Sequence, residues 1–190
     1  MMTPQLKRLI RSAVIVEYAV WAVITGSVLF YFVLAYVLEK GGMSAGLQGI
    51  GAMEAVLYAA AAAAAAASVL YRRHCYSHER ILSILRKDAD IDTLSGGLGA
   101  DGADSERIAF LRTLGESEKR AFILLSELQK TSIISLVLNE MVVMLGFVLA
   151  FLSGDFVKII PFGVVSLLLN IWMFPRPESV AERACGLYSS

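Results

Sequence analysis

Four long stretches of this sequence are almost free of formal charge, and they limit the fold more than any other feature does. They cover about residues 12–38, 50–71, 132–153 and 156–174. About 20 apolar residues in a helix, rising 1.5 Å each, cross the ~30 Å hydrocarbon core of a bilayer. Because backbone polar groups in lipid must be satisfied within the segment, we predict four transmembrane helices.

The composition agrees with a membrane location. Hydrophobic residues make up 57% of the 190 positions and charged residues 18%, with a mean hydropathy of +0.65. A soluble domain has about half apolar and about 25% charged residues. The 17 basic residues balance 17 acidic ones, so no excess of positive charge attracts nucleic acid. We therefore expect the lipid bilayer as a partner and no nucleic acid.

The basic residues lie almost entirely on one side of the predicted spans. Of the 17 lysines and arginines, only Lys40 and Lys158 fall on one side, which leaves 15 in the N-terminal tail, residues 72–131 and the C-terminal tail. Lysine and arginine near span ends are retained in the cytoplasm. We therefore predict a multi-pass protein of the inner (cytoplasmic) membrane with both termini cytoplasmic, an outer loop at about residues 39–49 and a tight outer turn at residues 153–155.

The segment of residues 72–131 is too short and too interrupted to form a domain with its own core. Apolar residues recur at helical spacing in residues 77–87, after Ser105 and after Ser117, whereas residues 88–104 are rich in glycine and aspartate and predict a linker. We predict short amphipathic helices on the cytoplasmic side, the last of which continues into span three. Residues 1–190 are thus predicted to form a single all-α polytopic membrane domain.

Three glutamates lie inside the predicted spans, where charging a side chain costs at least ~2.5 kcal/mol. Glu54 is near the outer end of span two and could contact Lys40 or Lys158. Glu17 is near the inner end of span one, at a depth similar to that of Asn170 in span four. We predict polar contacts within the bundle for these residues, with Glu17 and Asn170 as a candidate hydrogen-bonded pair.

Arg8 and Arg11 precede Glu17 by less than three helical turns and are alternative partners for its carboxylate.

Glu140 has no such partner, because it lies near the middle of span three and no basic residue occurs at that depth in any span. It should be protonated, hold a cation or face a basic group of another chain. Three interpretations stay open: a neutral acid hydrogen-bonded to Asn139, a serine or a carbonyl; a proton or cation site formed with Asn139; or a contact with a partner subunit.

The residues that follow Glu140 carry a family resemblance. Glycine stands six positions later at Gly146 and alanine ten positions later at Ala150. This helix resembles the ion-carrying helix of rotary ATPase proteolipid subunits, which implies a carboxyl group at position 140 that binds and releases a proton or Na⁺. Spans three and four, ending in Phe174 to Pro177, also resemble small uncharacterised bacterial four-helix membrane proteins.

Small residues predict where the helices touch, because they let helices approach closely in lipid. In span three they share one face with Asn139, and Glu140 lies about a quarter turn away. Span four repeats the pattern. The packing residues predicted in the two spans are Gly146, Ala150, Gly163 and Ser166. Nine consecutive alanines, at positions 59–67, place span two either inside the bundle or at an oligomer contact, unless they are only tolerated low-complexity sequence.

Recognisable catalytic and cofactor-binding patterns do not occur. His74, Cys75, His78 and Cys185 are spaced too irregularly for a metal site, and the aspartates at 88, 90 and 92 lack the glycine and glutamate of a calcium loop. We expect no enzyme, cofactor or metal. The preferred function is a structural or accessory subunit that forms a homo-oligomer or joins a larger membrane complex. The alternatives are a proton or cation conduit using Glu140, and a scaffold that recruits a soluble partner through residues 72–131.

Overall fold

The computed structural model describes residues 4–47, 49–86 and 115–174, and all regular structure in this part of the chain is helical. Five α-helices occur in these described residues, with a short 3₁₀ helix at Phe156–Ile159 before the last. They are α1 (Pro4–Lys40), α2 (Gly51–Cys75), α3 (His78–Arg86), α4 (Glu116–Ser153) and α5 (Ile160–Trp172). The prediction of an all-α chain is confirmed for these residues.

Three helices are long and apolar enough to cross a membrane. Their candidate spans are Val14–Lys40, Gly51–Cys75 and Phe122–Ser153, and a shorter apolar segment covers Phe156–Trp172. Many large apolar side chains on these helices are exposed, Val33 at 61% and Leu168 at 62% among them. Apolar surface of this extent indicates a membrane protein, since lipid can solvate such side chains and water cannot do so favourably.

The chain divides into two compact units. The first, which we call the bundle unit, comprises Val16–Arg73 and Thr131–Pro175. The second, which we call the α3 unit, contains residues 4–15, 74–86 and 115–130 of the described chain. Helices α1, α2 and α4 each contribute to both units.

Close contacts at two glycines bring the helices of the bundle unit together. A Cβ atom on Gly146 of α4 would stand 2.5 Å from the Cβ of Phe162, and one on Gly163 of α5 would overlap the ring of Phe32. Around these contacts the apolar core forms from α1, α4 and α5 on one side and from α2, α4 and α5 on the other. Small residues therefore set how closely α5 packs against its neighbours.

A tight turn reverses the chain between α4 and α5. Helix α4 ends at Ser153, and Gly154 follows with φ of 68°, a conformation that favours glycine at a helix end. Asp155 then caps the 3₁₀ helix by accepting a hydrogen bond from the Val157 N–H at 3.0 Å. Pro161 stands in the first turn of α5, where a missing N–H costs nothing. The turn predicted at residues 153–155 is confirmed.

The α3 unit contains two of the helices predicted for the segment after span two. Helix α3 packs with Ile81 and Ile84 against Leu124 and Leu128 in the first part of α4. The helix predicted from Ser117 is confirmed, as is its continuation into span three, because α4 is one helix from Glu116 to Ser153. The linker predicted at residues 88–104 and the helix predicted after Ser105 lie outside the described residues.

Candidate functional site

Five residues with fully buried polar side chains lie inside the bundle unit, and we call them the polar layer. They come from α2, α4 and α5 and are Ser68, Ser135, Asn139, Ser166 and Asn170. The Ser68 hydroxyl donates to the carbonyl of Ser135 at 3.1 Å, and the Ser166 hydroxyl donates to the carbonyl of Asn139 at 2.9 Å. Such hydrogen bonds between helices stabilise a bundle in lipid.

The two asparagines form the centre of the polar layer. Asn139 Nδ2 donates to Asn170 Oδ1 at 2.9 Å and lies 3.3 Å from the sulfur of Met173. The Trp21 indole N–H donates to the backbone oxygen of Asn170 at 2.9 Å, which connects α1 to the same group. Asn139 Oδ1 and Asn170 Nδ2 are buried without a hydrogen-bond partner among the described residues. The pair thus joins α4 to α5 and leaves one acceptor and one donor unused.

Glu140 faces α1 and not the polar layer. Its Oε1 atom lies 2.6 Å from the hydroxyl of Ser27, and its Oε2 atom is buried without a hydrogen-bond partner in the described part of the chain. Successive residues of a helix point about 100° apart, so Asn139 is directed to α5 while Glu140 is directed to α1. The structure therefore does not bring together the two side chains that were predicted as one ion or proton site.

The hydroxyl of Ser27 shows how Glu140 is held. Ser27 Oγ lies 2.6 Å from the carbonyl oxygen of Ile24 and 2.6 Å from Glu140 Oε1. A serine hydroxyl has one proton and can donate to only one of these oxygens. The hydroxyl donates to Glu140 Oε1 or to the Ile24 carbonyl, and Glu140 can donate to Ser27 only when its carboxyl group is protonated. A carboxyl group away from water favours the protonated form.

Glu17 is buried at 8% exposure and has polar neighbours on two helices. Its carboxyl group accepts a hydrogen bond from the Ser132 side chain, and Arg72 is close enough to act on it electrostatically. The predicted hydrogen bond between Glu17 and Asn170 is wrong, because the Asn170 side chain bonds to Asn139 instead. The side chains of the two N-terminal arginines that were its other predicted partners lie outside the described part of the chain.

Glu54 pairs with one of its two predicted lysines. Its Oε2 atom accepts a hydrogen bond from Lys158 Nζ at 2.7 Å, and both side chains are partly exposed. Lys40 lies instead over the ring of Tyr36, 5.8 Å from its centroid. The ion pair joins the first turn of α2 to the 3₁₀ helix that precedes α5.

The small residues predicted as packing positions lie at helix contacts. Gly146 admits Phe162 of α5, and Gly163 admits Phe32 of α1. Ala150 is 4% exposed within the apolar core, and Ser166 is fully buried in the polar layer. These residues hold α5 against both α1 and α4.

Besides Ser132 and Arg72 at Glu17, four partners of the polar layer and of Glu140 were missed by the sequence analysis. They are Trp21, Ser27, Ser68 and Met173. Ser27 and Ser68 are polar residues within apolar spans, and this signal was available. Trp21 and Met173 carry no comparable signal, because an indole and a thioether are ordinary in an apolar helix.

His74, Cys75, His78 and Cys185 were the residues considered as metal ligands in the sequence. Within residues 4–47, 49–86 and 115–174, no three histidine, cysteine, aspartate or glutamate side chains are grouped to hold a metal ion. Cys75 is a free thiol, and Cys185 lies outside the described residues.

No protein-family model, no curated protein and no solved structure matches the chain.

Proposed function

We propose that this chain is a non-enzymatic structural or accessory subunit of a membrane assembly, which associates with further copies of itself or with a larger complex. The observation that carries this proposal is the outward face of α2. Of the 25 residues of α2, only Ala61 and Ser68 are buried. Alanines spaced by four remain exposed along the opposite side, and we call Ala55, Ala59, Ala63 and Ala67 the outward face.

The outward face is better suited to another helix than to lipid alone. Alanine adds little lipophilic surface, but its small side chain lets a second backbone approach closely, and small residues at a spacing of four are typical of helix contacts in membranes. The exposed faces of α1 and α5 carry large side chains, such as Leu29, Phe30 and Ile171, whereas the four alanines of α2 are accompanied only by Val56 and Leu70 on the same side. Helix α2 therefore offers the most favourable surface for association.

The polar groups support a structural function as well. Hydrogen bonds of the polar layer connect α2, α4 and α5, and Ser27 connects Glu140 to α1. Each bond fastens one helix to another. A carboxyl group that is neutral and hydrogen-bonded needs no ion to compensate its charge.

The proposed topology has four spans and cytoplasmic termini in the inner membrane. Two observations support it. The 17-residue segment Phe156–Trp172 is apolar and lies at the lower limit of the ~17–25 residues of a membrane helix. Fifteen of the 17 basic residues would face the cytoplasm, because only Lys40 and Lys158 lie on the other side.

Cysteine labelling tests this topology. In a protein without Cys75 and Cys185, we expect a Met43→Cys thiol to react with a membrane-impermeant maleimide in intact cells. A Ser83→Cys thiol in α3 should react only after the cells are opened. Both side chains are exposed, so their accessibility in the folded protein is matched. Labelling of both thiols in intact cells would contradict the proposed orientation.

Cross-linking in native membranes tests the proposed association. In the same cysteine-free protein, an Ala63→Cys thiol should form adducts of dimer mass or larger with a short bis-maleimide. A Val33→Cys thiol on α1 is the matched control, because this position is also exposed but is surrounded by large side chains. We expect adducts from position 63 and none from position 33. Equal yields at both positions, or none at either, would contradict the proposal.

A second candidate function is a proton or cation conduit centred on Glu140. The buried Oε2 atom without a hydrogen-bond partner favours it, since this oxygen has capacity for a proton or an ion. In liposomes that contain a pH dye, Glu140→Gln preserves hydrogen bonding and removes titration. The structural proposal expects equal, near-zero flux for both proteins. Flux in the original protein that is lost in Glu140→Gln would replace it with the conduit.

A further inference from the structure

An apolar cavity of about 160 Å³ opens between α2, α4 and α5 in the bundle unit, and we call it the alanine groove. Its floor is formed by the buried residues Ala61, Val142 and Phe162, and its rim by the exposed residues Tyr58, Ala62 and Val165. None of the four outward-face alanines lines it, so the groove and the surface assigned to association use different residues of α2.

The groove exists because small residues stand on both sides of it. The three alanines of α2 that line it have no side chain beyond Cβ. Gly146 allows Phe162 to pack directly against α4, which places the Phe162 ring at the floor. Tyr58 then stacks near this ring, with 4.7 Å between the ring centroids.

The lining and the size restrict what can occupy the groove. A water molecule would find almost no polar partner there, and dry cavities of this kind accept apolar groups. The volume is below the ~300–1,000 Å³ of sites for drug-sized ligands. A section of one lipid acyl chain suits both the apolar lining and the narrow space.

The Glu54–Lys158 pair lies at one end of the groove. Glu54 precedes the rim residue Tyr58 by one helical turn, and Lys158 stands three residues before Pro161, which also lines the groove. Tyr58 is close enough to Lys158 to act on its charge. The two charged side chains are 30% and 26% exposed, so both can be reached from outside.

We propose that the alanine groove and the Glu54–Lys158 pair bind a phospholipid whose headgroup carries both a phosphate and a primary ammonium group. One acyl chain lies in the groove, the phosphate contacts Lys158 and the ammonium contacts Glu54. The pair presents one positive and one negative charge, which complements a zwitterionic headgroup. Asp155 also acts on Lys158, so the site has no excess positive charge to attract an anionic lipid.

The ammonium group distinguishes this lipid from a choline lipid. A primary ammonium has three N–H donors for the carboxylate of Glu54, whereas a quaternary ammonium has none. With identical acyl chains, the two lipids therefore differ only in the contact at Glu54.

Native mass spectrometry of the detergent-solubilised full chain with synthetic phospholipids tests the site. Equimolar phosphatidylethanolamine, phosphatidylcholine and phosphatidylglycerol with the same acyl chains are added as probes. Ala62→Phe fills the groove from its exposed rim, and Ala60→Phe is the control, at an exposed position that does not line it. Lys158→Gln removes the phosphate contact, and Lys40→Gln is its control. Circular dichroism checks that each variant is folded.

We expect the original chain to retain phosphatidylethanolamine over the two other lipids, and both controls to do the same. Ala62→Phe should lower its retention about tenfold, which corresponds to losing burial of roughly two methylenes. Lys158→Gln should abolish the preference for the ethanolamine headgroup. Equal retention of the three lipids by the original chain would overturn the proposal. Equal retention by the Ala62→Phe and Ala60→Phe variants would also overturn it.

Discussion

The polar layer and the outward face of α2 represent two opposite ways of using small and polar residues in one membrane protein. In the polar layer, serine and asparagine side chains are fully buried and bond across helices. On the outward face, the alanines are exposed and have no polar atom to bond. The polar layer stabilises the bundle by itself. The outward face, in the proposed function, contributes stabilisation only when another helix packs against it.

This difference predicts a separation of effects. Substitutions at the helix contacts inside the bundle should change the free energy of unfolding of the isolated chain. Substitutions on the outward face should leave that free energy unchanged and alter association instead. Variants in the two regions test whether stability and association depend on different residues.

The largest effect is expected at Gly146. Its substitution by alanine would place a Cβ 2.5 Å from the Cβ of Phe162, which cannot swing away as a distal atom could. We expect Gly146→Ala to lower the free energy of unfolding by about 1–3 kcal/mol, as overpacking usually does. Gly26→Ala is the control, because nothing lies within 4 Å of its added Cβ. It should raise stability by about 0.5–1 kcal/mol.

Unfolding in mixed micelles with increasing denaturing detergent, followed by circular dichroism, measures both glycine variants. Equal effects of Gly146→Ala and Gly26→Ala would show that the close contact with Phe162 does not stabilise the bundle.

The next effect is expected at the asparagine pair. Asn139→Leu leaves Asn170 Oδ1 without its donor, and we expect a loss of about 0.6–1.7 kcal/mol, between the average and the maximum measured for hydrogen bonds in a membrane bundle. The double variant Asn139→Leu/Asn170→Leu should cost less than the sum of the two single variants, because it removes both polar partners. The same unfolding assay gives this double-mutant cycle, and strictly additive effects would contradict a direct bond.

A smaller effect is expected at Glu140. Glu140→Gln retains a donor for Ser27 and should be nearly as stable as the original chain, whereas Glu140→Leu should lose about 0.6 kcal/mol, the average for one such bond. Infrared difference spectra between the original chain and Glu140→Gln at neutral pH should contain the carbonyl band of a protonated carboxyl group. A carboxylate band in its place would show that Glu140 is charged.

The smallest effect on stability is expected on the outward face. Ala59→Leu adds an exposed apolar side chain and should leave the unfolding of the isolated chain unchanged. Self-association in detergent, measured by analytical ultracentrifugation, should weaken in the same variant because the larger side chain keeps a second helix away. Unchanged association together with lowered stability would reverse the proposed roles of the two regions.

The helices could be predicted because their signals are local. Long apolar stretches mark α1, α2 and α4, and the helical spacing after Ser117 runs without a break into span three. Depth also limited the partners of Glu54 to Lys40 and Lys158, since few charged residues lie near that end of the spans, and the structure pairs it with Lys158. The length of an apolar stretch and the depth of a residue within it can be predicted directly from the sequence.

To predict which residues of two helices touch, the rotation of each helix about its own axis must also be known, and depth in the membrane does not give it. Glu17 and Asn170 have similar predicted depths, but Asn170 points to Asn139. Asn139 and Glu140 are adjacent in sequence, yet they face different helices. Which face of a helix meets which neighbour depends on packing at residues such as Gly146 and Gly163, and only the structure specifies it.

Spin labels can measure directly whether lipid or water surrounds the exposed apolar side chains. Nitroxide labels at Val33, Leu168 and Met43 are matched, because these side chains are 61%, 62% and 59% exposed. In reconstituted bilayers, we predict that labels at positions 33 and 168 collide often with molecular oxygen and rarely with a water-soluble nickel chelate, and that position 43 shows the reverse. Frequent collisions of the chelate with all three labels would contradict the claim that lipid surrounds this bundle.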